Sequence, residues 1–164
     1  MKELFHHRSF SEDKKKLLHC VDVEFACAEI YKAFMNMFPE DRDFWGELVV
    51  DEEFHAAFYL SAEILKLIEE DPDQIKLPPA AFIEKTLEFT DHVKTIIRTR
   101  MVTLKEALHL ALLLEQSVTE GFIFEVPETV NPVVLNLKSI IAGEESHMEK
   151  IKSYMITKGF SKLD

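Results

Sequence analysis

Glu24, Glu52, Glu115 and Glu144 each stand at the centre of an apolar stripe at helical spacing, and Glu52 and Glu144 are each followed three residues later by a histidine, His55 and His147. Around Glu24 the same-face neighbours are Leu17, Cys20, Val21, Cys27, Ala28 and Tyr31; around Glu52 they are Trp45, Leu48, Val49, His55, Ala56 and Tyr59. Glu115 is framed by Leu108, Ala111, Leu112, Val118, Thr119 and Phe122, and Glu144 by Leu137, Ile140, Ile141, His147, Met148 and Ile151. None of these sets contains a Lys or Arg. Burying a carboxylate costs several kcal/mol even after relaxation, against a net domain stability of only ~5–15 kcal/mol. Four such groups therefore call for cations from outside the chain. Two divalent metal ions would balance four carboxylates, and two neutral imidazoles would complete the ligand set. The i, i+3 spacing places the Glu and His of each pair on one face, about a turn apart.

Glu-x-x-His alone is weak evidence. With 21 Glu and 7 His in 164 residues, chance supplies roughly one match; Glu3/His6, Glu52/His55, Glu106/His109 and Glu144/His147 all fit. The first falls in a stretch expected to fray, and Glu106 belongs to a helix cap. The remaining two gain weight from an internal repetition: Glu24 precedes Glu52 by 28 residues, and Glu115 precedes Glu144 by 29. Each half of the chain thus supplies one Glu and one Glu-x-x-His.

The elements that must position these residues are helices. Gly (4) and Pro (6) are scarce, which disfavours the many tight turns of a sheet protein, and the richness in Leu, Glu, Lys and Ala favours helix. Apolar periodicity predicts long helices over about 11–38, 42–70, 103–124 and 131–158, with an accessory helix over about 80–98. Ser11 is the expected N-cap of the first and Pro39 its stop; Asp71-Pro72 ends the second. Thr103 and Glu106 form a capping box for the third, which Pro127 follows, and Asn131-Pro132 opens the fourth, with Gly159 just past its end. The expected fold is all-α: a four-helix bundle of two antiparallel hairpins, joined by a long crossover that contains the accessory helix, in one domain spanning 1–164.

One Glu and one Glu-x-x-His per hairpin is the ligand pattern of di-iron and di-manganese carboxylate bundles. The chain resembles the rubrerythrin branch of the ferritin-like superfamily over nearly its whole length. The resemblance is carried by Glu24 with Ile30-Tyr31, by Asp51-Glu52-Glu53-Phe54-His55-Ala56, by Leu112-Leu113-Leu114-Glu115 and by Glu144-Glu145-Ser146-His147. It implies that Glu24, Glu52, His55, Glu115, Glu144 and His147 bind two iron ions, with manganese or zinc as alternatives for an oxygen- and imidazole-rich set. It further implies a redox reaction of the iron pair with hydrogen peroxide or oxygen, as a peroxidase or ferroxidase. Two departures stand out. Val118 occupies the place of rubrerythrin's additional glutamate, and no Cys-x-x-Cys pair or rubredoxin domain is present, so the electron donor is expected to be external. The alternatives are a di-iron oxygenase on an organic substrate, iron storage or sequestration, and a non-enzymatic metal-binding helical module.

Around the ligands, Tyr31 and Tyr59 lie seven residues after Glu24 and Glu52, within reach of a metal-bound carboxylate, although core packing explains them equally well. Asp51 is a candidate acceptor for a ligand histidine; His92 and His109 read as structural or surface residues. Cys20 and Cys27, about 10 Å apart on one helix, exceed the ~7 Å reach of a disulfide and read as small core residues. The net charge of −11, with no basic cluster beyond Lys14-Lys15-Lys16, argues against nucleic acid. No stretch approaches the ~18 apolar residues of a membrane span, and a cytoplasmic location is expected. The third helix is apolar nearly all round, from Leu104 to Leu114, so either the accessory helix or a second copy in a homodimer is expected to cover it.

Overall fold

A computed structural model describes residues 2–61, 64, 77–118 and 146–160. Among these residues there is no strand. Five α-helices carry the structure: α1 (Lys2–Met37), α2 (Arg42–Tyr59), α3 (Ala80–Thr99), α4 (Leu104–Ser117) and α5 (His147–Thr157), with a single 3-10 turn at Pro39–Asp41. None of the described helices is long and apolar enough to cross a membrane.

The most extensive contact joins α1 to α2, as their short connection demands. The accessory helix α3 lies mainly along α1 and touches α4, while α4 packs against α5 and meets α1. Lys94 of α3 reaches Glu29 of α1 at 2.6 Å. Leu113, on the outer side of α4, is 49% exposed, so α3 does not cover that face as one reading of the sequence had it. The core where these helices meet includes Leu17, Tyr31, Phe34, Trp45, Leu48, Leu108, Leu114 and Ile151, all fully buried. Removing an aliphatic or aromatic side chain of this size from water stabilises by ~1.5–3 kcal/mol each. The apolar stripes around Glu24 and Glu52 are buried along their whole length.

Helix boundaries depart from the sequence reading in four places, each with a local cause. α1 begins at Lys2 rather than at Ser11. Residues 2–10 contain neither Gly nor Pro, and extending an existing helix is cheaper than starting one. α2 stops at Tyr59 instead of continuing to Glu70: the Ser61 hydroxyl accepts from the Ile64 N–H at 3.4 Å, offering the backbone a competing local bond. α4 ends at Ser117, where the sequence reading ran to Phe124. Its Ser117 carbonyl accepts from the Thr86 hydroxyl of α3 at 2.7 Å, and Val118 is extended (φ −87, ψ 147).

The fourth departure bears on the site. Ser146 is extended (φ −56, ψ 144), and its hydroxyl accepts from the Glu149 N–H at 3.3 Å. It is an N-cap, so a new helix starts at His147 and the expected continuous helix over 131–158 is broken there. The cue was in the sequence, since Ser146-His147-Met148-Glu149 has the Ser-x-x-Glu form of a helix start.

Other signals were realised. Thr103 and Glu106 form the full capping box. Gly159 takes φ 77, and the Phe160 N–H returns to Met155 O at 2.9 Å, a left-handed terminus that suits glycine. Beyond it, the Lys158 ammonium meets Asp41 Oδ1 at 2.5 Å, and the Tyr154 hydroxyl donates to the same oxygen at 2.6 Å. These bonds fasten the end of α5 to the α1–α2 turn. The remaining sequence expectations for 62–63, 65–76 and 119–145, including Asn131-Pro132 and Glu144, lie outside the described residues.

Candidate metal centre

α1 contributes Glu24, α2 contributes Glu52 and His55, the last turn of α4 contributes Glu115 and the first turn of α5 contributes His147. All five are buried, Glu52 completely. The helical repeat explains the first four: each sits on the inward stripe of its helix, so packing the stripes together drives the polar heads into a common space. His147 arrives differently, from a helix N-terminus set by the Ser146 cap.

Glu52 occupies the middle. Its Oε1 lies 3.2 Å from His147 Nδ1, and its Oε2 lies 3.5 Å from His55 Nδ1. Each imidazole also faces a second carboxylate: His55 Nδ1 is 3.9 Å from Glu24 Oε2, and His147 Nδ1 is 3.3 Å from Glu115 Oε2. The result is two half-sites, Glu24 with His55 and Glu115 with His147, that share Glu52. The two imidazole rings are stacked with centroids 5.2 Å apart. A donor atom from each of Glu52, His55 and His147 falls within 4.8 Å of the others, a spacing a single cation can span.

The surrounding side chains orient these groups. Asp51 Oδ2 lies 3.3 Å from His147 Nε2 and 2.6 Å from Lys150 Nζ. Burial tends to raise the Asp51 pKa, but the His147 and Lys150 hydrogen bonds outweigh it and hold the carboxyl below its usual range. An ionised Asp51 facing Nε2 orients the His147 ring, with Nδ1 turned toward the Glu52 and Glu115 oxygens. Asp51 thus serves the histidine of the opposite half of the chain.

Tyr31 donates a short hydrogen bond to Glu115 Oε1, and Tyr59 donates to Glu24. Both phenols are pushed well above their ordinary pKa, by burial first and by the neighbouring glutamates second. They remain neutral donors. Among the described residues neither oxygen of Glu52 has a hydrogen bond of good geometry. Burial favours its neutral form, yet the closeness of His147, His55 and Glu24 depresses its pKa and keeps it charged.

Cys20 and Cys27 are free and buried, as expected of small core residues. Burial and the charge of Glu24 push the Cys20 thiol up to about 12. Burial, together with Glu52, Glu115 and Glu24, also pushes the Cys27 thiol well up, so neither offers a thiolate. His92 is exposed. Glu106 is spent on the Thr103 cap and on Arg100, at 2.9 Å. A narrow cleft of about 10 Å³ borders Glu24, lined by Cys20, Val23, Phe82, Ile83, Thr86, Ser117 and Val118.

Five of the six expected ligands are therefore brought to one place, and Glu144 lies outside the described residues. Sequence reasoning offered Asp51 as an acceptor for a ligand histidine without saying which; that the histidine is His147, and that Lys150 also meets Asp51, were missed, since no signal in the sequence links residues so far apart. Compared with known proteins, the chain matches no family model, no curated protein and no solved structure.

Proposed function

We propose that this chain is a ferritin-like, non-haem di-iron protein whose iron pair undergoes a redox reaction with hydrogen peroxide or oxygen. The observation that carries the reading is Glu52: a fully buried carboxylate with one oxygen turned toward each imidazole and, among the described residues, no Lys or Arg beside it. A carboxylate in that position suits a bridge between two cations. Oxygen and imidazole donors without thiolate suit iron or manganese.

In this reading Glu24, Glu52, His55, Glu115, Glu144 and His147 would hold the two ions. Bound iron would supply the two electrons that convert peroxide and two protons into two waters. The protein's own residues do the rest. Asp51 orients the His147 ring; Tyr31 and Tyr59 hold Glu115 and Glu24 in place; the apolar core around Trp45, Leu48 and Leu108 excludes bulk water. The cleft beside Glu24 is roughly large enough for one water-sized molecule, which favours a small oxidant over an organic substrate. Electrons come from an external donor.

Elemental analysis of anaerobically iron-loaded protein, followed by absorbance on adding peroxide or oxygen, tests this. Two irons per chain and a new diferric absorbance are the expected result, and the faster oxidant names the activity. A chain that takes up no metal ends the reading.

A further inference from the structure

The chain holds three tyrosines and one tryptophan, its most readily oxidised rings, and three of the four lie on one line. Tyr31, bonded to Glu115, has its ring centroid 6.0 Å from that of Trp45. Trp45 meets Phe44 at 5.0 Å, and Phe44 stacks on Tyr154 at 3.8 Å with the rings 5° from parallel. Tyr31 and Trp45 are fully buried, whereas Tyr154 is the one tyrosine that reaches solvent.

Resting on the redox reading above, we propose that Tyr154, Phe44, Trp45 and Tyr31 form a one-electron path between the surface and the metal centre. The hydroxyls at both ends of the line are each seated on a carboxylate: Tyr31 on Glu115, Tyr154 on Asp41. A phenol gives up an electron readily only when its proton leaves at the same time, so both terminal tyrosines have the acceptor that they need. An indole is oxidised without losing a proton, and Trp45 Nε1 has no hydrogen-bond partner among the described residues. Trp45 is thus built to pass a charge on rather than to keep it. Phe44 is too hard to oxidise and acts as the packed medium between its neighbours.

The steps balance. Tyr31 would give one electron toward a centre oxidised by peroxide, its proton shifting along the hydrogen bond to Glu115. Trp45 returns an electron to Tyr31, and that proton moves back. Tyr154 then refills Trp45 through the Phe44 contact, its phenol proton passing to Asp41. A one-electron donor in solvent re-reduces Tyr154, and the proton returns. Burial works against the Asp41 charge, but Lys158 and Tyr154 outweigh it and keep the carboxyl ionised and able to accept.

Because the single tryptophan is wholly buried, an indolyl radical raised by an oxidant confined to solvent reports the path directly. The test uses iron-free full-length protein with a photo-excited ruthenium polypyridyl and persulfate, followed by transient absorbance. An indolyl signal that gives way to a tyrosyl signal as Tyr154 refills Trp45 is expected, with the indolyl signal outliving the parent's in Tyr154→Phe, which keeps the ring stack. An indolyl lifetime unchanged in that variant, or no indolyl signal in the parent protein, overturns the path. With iron and peroxide, freeze-quenched electron paramagnetic resonance should show a tyrosyl radical that disappears in Tyr154→Phe; a signal unchanged by the substitution counts against it. A chain that binds no iron fails the di-iron reading, while the iron-free measurement still decides the path.

Discussion

Two buried acids in this chain have opposite surroundings. Asp41, at the α1–α2 turn, is met by the Lys158 ammonium and the Tyr154 hydroxyl, so the protein supplies its own cation and donor. Glu52, in mid-bundle, is more deeply buried and is met by two imidazoles and further carboxylates. A buried charge is tolerated when paired and is costly when it is not. Asp41 therefore reads as part of the fold, and Glu52 as part of a site completed from outside. The same physics separates a fastening from a binding centre.

The comparison breaks most visibly at Glu52. Glu52→Leu removes the proposed shared ligand, so on the di-metal reading metal per chain should fall from two toward none. Elemental analysis reads the loss. A variant that still binds two metals would remove Glu52 from the centre.

Glu115→Ala is expected to do half as much, cutting the stoichiometry to one metal per chain with helix content largely kept in circular dichroism. Full stoichiometry in this variant would take Glu115 out of the ligand set. Asp51→Asn should leave the stoichiometry intact and weaken affinity by about 10–100-fold, the usual cost of losing a group that orients a ligand histidine. Metal competition titrations read that change. If affinity is unaltered, the contact with His147 does not orient its ring.

How much of this was legible in the sequence follows from the range of the interactions. The stripes around Glu24, Glu52 and Glu115 could be read because helical period is local, and the helices that carry them formed. The Thr103 cap and the Gly159 stop were legible for the same reason. The break at Ser146 was also local, but the apolar run on either side of it outweighed the capping signal in a reading based on period. The ends of α2 and α4 were harder. Ser117 is capped by Thr86 from another helix, and no window of sequence contains both. Asp51 with His147, and Asp41 with Tyr154 and Lys158, are likewise tertiary: they join residues about a hundred positions apart, and only packing reveals them.

Asp41→Asn gives the smallest expected change and the clearest sign. It removes a charged acceptor from Tyr154 and Lys158, at a cost of about 1–3 kcal/mol, or about 2–4 °C in Tm per kcal/mol for a chain of this size. Burial favours the neutral form of Asp41, but the Lys158 and Tyr154 hydrogen bonds win, and its pKa is lowered on folding. Its contribution is thus complete above the unfolded value of about 3.9 and is lost as pH falls through the lower folded value. The Lys158 pKa is raised, chiefly by its hydrogen bond to Asp41, so that contribution is complete below about 10.4 and is lost as pH climbs through the folded value. The gap in stability between parent and variant should therefore be flat between roughly pH 4 and 10 and narrow on both sides. Thermal unfolding of the metal-free pair across that range measures it. A gap that persists unchanged well below pH 4 would mean that shape, not charge, holds α5 to the turn, and the contrast with Glu52 would lose its electrostatic basis.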